Sequence, residues 1–180
     1  MSGRITLREM VLCSLFTALI AVGAFIKIPV PVVPFTLQLL FTTLAGLLMG
    51  SRLGFFSVAI YILMGLIGVP VFTEGGGLGY IFKPTFGYLL GFAVGSYITG
   101  RIAESVINPS FSRLIVASFA GLFFVYLLGL VYCYLISNFI IHSPLGFKAL
   151  IIYCFLLAIP GDILLCLLSA FLSKRLKFLS

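Results

Sequence analysis

Apolar residues run along this chain in long stretches rather than alternating with polar ones, and the polar residues gather in short corners between the stretches. A helical bilayer crossing takes about 20 mostly apolar residues, and the spacing predicts six such helices. They cover Met10 to Ile28, Phe35 to Gly50, Leu53 to Val69, Pro84 to Glu104, Arg113 to Ile136 and Phe147 to Ser173.

Each boundary carries a physical signal. Pro29, Pro31 and Pro34 end the first run, because a proline ring removes a backbone donor and disfavours helix in the residue before it. Ser51-Arg52 forms the corner between the second and third runs, Pro70 stops the third, and Gly75, Gly76, Gly77 and Gly79 make a flexible loop, expected to act as a mobile outer lid. Pro84 suits a first helical turn, and Asn108-Pro109 breaks the chain after the fourth run. His142, Ser143, Pro144 and Gly146 form the turn before the sixth, which is expected to bend at Pro160-Gly161. Arg4 and Arg8 ahead of an apolar run resemble a signal peptide, but that run continues past Ala24 and more spans follow, so it reads as a first transmembrane helix.

Composition agrees with this pattern. With 62% apolar and 8% charged residues, the chain has too little polar surface to clothe a water-soluble globule, and 180 residues allow one compact bundle. The expected fold is an all-α integral membrane protein, one domain over residues 1–180. The net charge of +7 does not point to nucleic acid, since the basic residues stand singly at the ends of apolar runs. Arg4, Arg8, Arg52, Arg101, Arg113, Lys174, Arg175 and Lys177 fall on one side of a six-span topology, against Lys27, Lys83 and Lys148 on the other. The positive-inside rule then places both termini in the cytoplasm of a multi-pass protein of the cell membrane. The proline-rich first connection, the glycine-rich loop and the His142 turn face outward.

Small residues recur every four positions at Gly87, Gly91 and Gly95 and at Thr42, Gly46 and Gly50, a spacing that lets helix backbones approach closely in lipid. Cys13, Cys133, Cys154 and Cys166 lie inside apolar runs with no CxxC pair, and read as packing residues rather than metal ligands. No repeat of inverted halves is visible, which counts against a symmetric secondary carrier.

Enzyme chemistry finds no support: there is one histidine and no HExxH, GxSxG or GxxxxGK[ST] pattern. No cofactor is implied. The polar residues inside the spans are more informative, because an ionisable group there costs about 2.5–3.5 kcal/mol on insertion scales and usually faces a cavity. Asp162 is the foremost case, deep in the sixth run beside the expected bend. Gln38 offers donors and an acceptor in the first turn of the second helix, where it either lines a pocket or reaches the outer interface, while Thr36 is placed to cap that helix. Lys83 stands at the outer mouth of the fourth helix, either facing a ligand or anchoring in the interface. Tyr80 and Tyr88 fit interface aromatics equally well.

Five stretches taken together resemble a known family: Pro34-Phe35-Thr36-Leu37-Gln38, Gly68-Val69-Pro70-Val71-Phe72, Gly75-Gly76-Gly77-Leu78-Gly79-Tyr80, Pro84 to Phe92, and Pro160-Gly161-Asp162. In this order and spacing the chain resembles the BioY family, the biotin-binding S components of energy-coupling factor (ECF) transporters. The resemblance implies six helices around an outward-facing vitamin pocket, with a transmembrane scaffold subunit and two ATPase subunits as partners. Side-chain chemistry is compatible with such a ligand: Asp162 can accept from ureido N–H groups, Gln38, Thr85 or Tyr88 can donate to the carbonyl, and Lys83 can pair with the carboxylate. Gly76 and Gly77 of the glycine loop complete the expected ligand-binding set. Family members dock through small residues on the first helix, matched here by Ser14, Thr17, Ala18, Ala21 and Ala24. One position departs from the pattern: the family commonly carries a lysine three residues after the aspartate, where this chain has Leu165. The ligand carboxylate must then meet another cation, Lys83 or Lys27. The same residues are compatible with an S component for another vitamin, with a proton-coupled carrier using Asp162, or with a membrane-embedded enzyme or assembly factor.

Overall fold

The computed structural model describes residues 6–28, 32–141 and 146–179. Arg4, Pro29, Pro31 and the turn at His142, Ser143 and Pro144 lie outside the described residues. Helix α1 (Leu7–Phe25) begins earlier than the apolar run suggests. Thr6 and Glu9 close a capping box ahead of it, Thr6 N–H donating to Glu9 Oε2 at 2.7 Å and Glu9 N–H to Thr6 Oγ1 at 3.3 Å. It also ends earlier, because Lys27–Ile28 (β1) leaves the helix to pair antiparallel with Phe35–Thr36 (β2).

Helix α2 (Gln38–Leu66) is two helical limbs that meet at Gly50, which holds φ +84° and ψ −179°, a conformation open to glycine and costly for other residues. The chain doubles back there. A methyl group on Gly54 would lie 2.9 Å from Gly46 Cα, whereas a straight helix would separate these residues by about 12 Å at 1.5 Å per residue. Gln38 Nε2 also reaches Tyr61 Oη at 2.9 Å, tying the far ends of the two limbs. The expected corner at Ser51-Arg52 therefore lies at Gly50, and Ser51 opens the second limb. Glu104 caps that limb, accepting from Ser51 N–H at 2.9 Å and Ser51 Oγ at 2.7 Å.

After a 3-10 turn at Leu78–Phe82, helix α3 (Phe86–Glu104) passes between α2 and α4. Helix α4 (Phe111–Leu135) continues through a π-helical turn at Ile136–Ile140. The last apolar run is three pieces: α5 (Phe147–Ile151), a π-helical turn (Ile152–Leu156) and α6 (Ile159–Leu179). The break falls at Leu157-Ala158, so Pro160 and Gly161 sit in the first turn of α6 instead of bending a continuous helix. Proline is tolerated there because first-turn N–H groups lack helical partners anyway.

Among the described residues, four helices are long and apolar enough to cross a membrane: Leu7–Phe25, Gln38–Leu66, Phe111–Ile140 and Phe147–Leu176. Helix α3 is not among them. Twelve of its nineteen residues are buried, so its surface meets protein rather than lipid and tolerates glycine, serine and threonine. The small-residue repeats sit at its crossings: Gly46 packs on the Ser96-Gly100 backbone, a methyl on Gly91 would lie 2.8 Å from Val125 Cα, and one on Gly95 2.9 Å from the Gly121 carbonyl. All four cysteines are buried and unbridged.

Candidate functional site

One cavity lies within the bundle, lined from every long helix except α1 and holding about 590 Å³ of empty space counted out to its mouth. Only about 60 Å³ of this is room for a water-sized sphere, below the roughly 300–1,000 Å³ of common ligand pockets, so a vitamin-sized ligand has to displace some of the walls to enter. Gln38, Thr85, Tyr88 and Asp162 all line it, so four of the residues singled out from sequence meet in one place although they come from three helices and the turn before α3.

Asp162 reaches the cavity from the first turn of α6. A helix N-terminus carries partial positive charge, which favours a carboxylate there. Its Oδ2 accepts from the Tyr126 hydroxyl of α4. Its Oδ1 has no hydrogen-bond partner among the described residues, leaving an acceptor turned to a cavity whose walls are otherwise largely apolar. Gln38 is 2% exposed. Its Oε1 accepts from Thr36 Oγ1 at 3.3 Å and its Nε2 spends one hydrogen on Tyr61, whose own hydroxyl donates to the Val71 carbonyl at 3.0 Å. Thr36 also accepts from Gln38 N–H at 3.4 Å, the capping contact expected of it. The second Nε2 hydrogen remains for a ligand.

Tyr88 donates to the Cys154 carbonyl at 2.9 Å, while Thr85 donates to Tyr80 Oη at 3.2 Å and Thr73 bonds the same oxygen at 2.9 Å. Tyr80 is buried in this cluster, 3% exposed, and is not an interface aromatic. Tyr88 and Tyr126 line the cavity edge-on to each other at 6.2 Å, and Tyr126 is also edge-on at 4.9 Å to Phe155, which does not line it, a geometry that suits the quadrupoles of the rings. Sequence reasoning missed Tyr126. The signal was its place on one α4 face with Leu122, Gly129 and Cys133, all buried and at helical spacing.

Three expected site residues do not line the cavity. Lys83 is held outside it by Glu74, with Nζ 2.6 Å from Oε2, and lies over the Tyr80 ring at 5.2 Å. Gly76 packs against the carbonyls of Gly65 and Val69, and Gly77, at φ +103°, donates its N–H to Gly65 O at 2.7 Å. The glycine loop is thus tied to the end of α2 rather than being a loose lid. Lys27 also reaches the rim of the site, its Nζ donating at 2.7 Å to the carbonyl of Thr73, whose residue lines the cavity.

The expected docking face of α1 also divides. Thr17 and Ala24 are buried, Thr17 Oγ1 donating to Cys13 O at 2.9 Å and Ser57 O at 3.0 Å. Ser14 and Ala18 are exposed and Ala21 is partly buried. At about 100° per residue the five positions share one arc of about 120°, which runs from exposed Ala18 and Ser14 through Ala21 to buried Thr17 and Ala24.

A membrane bundle with a sparsely polar cavity between its helices is the architecture of a substrate-binding transport protein. The chain belongs to the BioY family, whose family model matches residues 1–179. Among its relatives, a probable biotin transporter BioY of Lysinibacillus sphaericus is 44% identical over 93% of this chain and 86% of that protein. The biotin transporter BioY of Thermotoga maritima is 36% identical over 95% of this chain and 96% of that protein. The fold matches the crystal structure of the S-component for biotin from an ECF-type ABC transporter with a TM-score of 0.81, at 29% identity, over 98% of this chain and 94% of that one. The protein is a multi-pass membrane transport component.

Proposed function

We propose that the chain is the substrate-capturing S component of an ECF-type importer and that its ligand is biotin. One observation carries the ligand chemistry: Asp162 and Gln38 line one cavity with largely apolar walls, and Asp162 Oδ1 and one Gln38 amide hydrogen have no partner among the described residues. A ureido ring offers two N–H donors and a carbonyl acceptor, so it answers both, and the thiophane ring and valerate tail fill the apolar remainder. A carboxylate at the end of the tail meets Lys27 at the mouth, since Lys83 is already paired with Glu74.

In this reading the two limbs of α2 each cross the bilayer, giving six crossings with both termini in the cytoplasm of the cell membrane. Two observations support the sidedness. Lys174 Nζ donates to Pro109 O at 3.2 Å and Arg52 and Arg101 share a cleft with Glu9, gathering the cation-rich corners at one end. Lys27 and Lys83 meet the Thr73-Glu74 backbone at the other. A chain without a phosphate-binding loop needs ATP hydrolysis from elsewhere, here two ATPase subunits joined through a transmembrane scaffold.

The test is thermal unfolding of the purified full chain against a panel of vitamins. A ligand at about 100 times its Kd stabilises the native state by about 2.7 kcal/mol. Selective stabilisation by biotin is expected; selective stabilisation by another vitamin would reassign the substrate, and none from any would overturn capture.

A further inference from the structure

A second cleft opens at the cation-rich end of the bundle, away from the ligand cavity, with about 830 Å³ of empty space counted to its mouth. The first turn of α1, the Gly50 corner and the last turn of α3 enclose it, and Arg52, Arg101 and Tyr97 line it together with two carboxylates. Both carboxylates are engaged. Glu9 is held by Thr6 in the capping box, and Glu104 takes Ser51 N–H and Oγ and then Arg101 at 3.4 Å. The arginines keep most of their donors free. Arg52 has no hydrogen-bond or ion-pair partner among the described residues, and the Arg101 side chain is 72% exposed with only that one long contact.

Beside the cleft the surface turns apolar. Phe55 lies edge-on to Tyr97 at 6.4 Å, and Phe55, Phe56 and Ile60 are exposed along the second limb of α2. Guanidinium groups with donors to spare select a phosphate or carboxylate, and an exposed apolar ridge leading away from them in a membrane chain selects acyl chain. Both requirements are met by one molecule. We propose that this cleft binds an anionic phospholipid, its phosphate between Arg52 and Arg101 and a tail along Phe55, Phe56 and Ile60. Basic pockets between membrane helices are a recurring site for acidic headgroups.

Native mass spectrometry of the full chain in neutral detergent tests this with phosphatidylglycerol, phosphatidylcholine and inorganic phosphate as probes. Retention of phosphatidylglycerol over phosphatidylcholine is expected, with no retained inorganic phosphate. Each of Arg52→Gln and Arg101→Gln should weaken phosphatidylglycerol about five-fold, the usual share of one cation near a lipid headgroup. Lys174→Gln, an equal charge change on a residue occupied by Pro109, should not, and far-UV circular dichroism checks that each variant folds. Equal retention of both lipids, or equal loss on Lys174→Gln, would overturn the site. Retention of inorganic phosphate alone would overturn the apolar half. Loss of scaffold co-purification in the double arginine variant, with no lipid selectivity in the parent, would assign the cleft to an acidic protein segment and overturn the lipid.

Discussion

Asp162 shows how a chain with 8% charged residues keeps a carboxyl group inside its bundle. Asp162 has no cationic partner among the described residues, and the group is held by the Tyr126 hydroxyl and the start of α6. Asp162→Asn removes the charged acceptor and turns an NH2 toward the ligand's own donors. A hydrogen bond to a charged group contributes about 1.5–3 kcal/mol, so biotin titration should show roughly ten- to a hundredfold weaker binding. Tyr126→Phe acts differently. It strips a donor from Oδ2 without changing Oδ1, so the unliganded chain should lose about 1–3 kcal/mol of stability while affinity falls less than for Asp162→Asn; melting and titration of the same variants separate the two. At the mouth, Lys27→Ala should weaken biotin and spare its carboxyl-amidated form, by about 1 kcal/mol or less given solvent there, whereas Lys83→Ala should leave both ligands unchanged because Glu74 occupies it. Equal losses for the two ligands on Lys27→Ala would remove it from the carboxylate's path. Asp162 and Gln38 were legible because polar groups in apolar runs need a reason. The fate of Lys83 was not, since its pairing with Glu74 depends on how the glycine loop folds onto Gly65, and nothing in the local sequence states that distance.

Among the elements, the apolar runs located the helices well and their interruptions less well, because hydropathy records where lipid or protein will be met but not where a ladder of hydrogen bonds shifts register. The π-helical turn at Ile152–Leu156 is the plainest instance. It moves the break ahead of Pro160, and so sets Asp162 in a first helical turn instead of mid-span. The Gly50 corner is the opposite case, displaced by a single residue and explained by backbone geometry. An alanine at φ +84° costs about 1–3 kcal/mol, and its Cβ would lie 2.5 Å from Glu104 Oε2, forcing that carboxylate off Ser51. Gly50→Ala should therefore lower the melting temperature by several degrees, at about 2–4 °C per kcal/mol for a chain of this size. The corner is formed at the other end of the limbs from Gln38, so biotin affinity measured by titration should hold. A large affinity loss with an unchanged melting temperature would show that the corner serves the pocket and not the hairpin.

The whole molecule separates its two tasks by direction. The cavity draws its residues from α2, α3, α4 and α6 and takes none from α1, so α1 is the one long helix whose outer face can change without touching the ligand. That face is narrower than its sequence pattern suggested: Ser14 and Ala18 are exposed, while Ala24 is 0% exposed and Thr17 bonds across to Ser57. Small exposed residues let a partner's helix backbone approach closely in lipid, where packing rather than hydrophobic transfer drives association. Ala18→Trp should then leave biotin binding and the melting temperature of the lone subunit near those of the parent, and abolish co-purification with the scaffold subunit together with ATP-dependent uptake. Ala24→Trp places the same bulk inside the bundle, where overpacking costs about 1–3 kcal/mol or more, and should lower the melting temperature before any partner is added. The pair of variants distinguishes an interface from a core position with the same side chain. If Ala18→Trp assembles normally while its lone subunit melts early, the exposed face of α1 is not where the partner docks. Uptake that ceases on adding an uncoupler but persists with the ATPase subunits disabled would instead point to Asp162 as a proton site in a self-sufficient carrier.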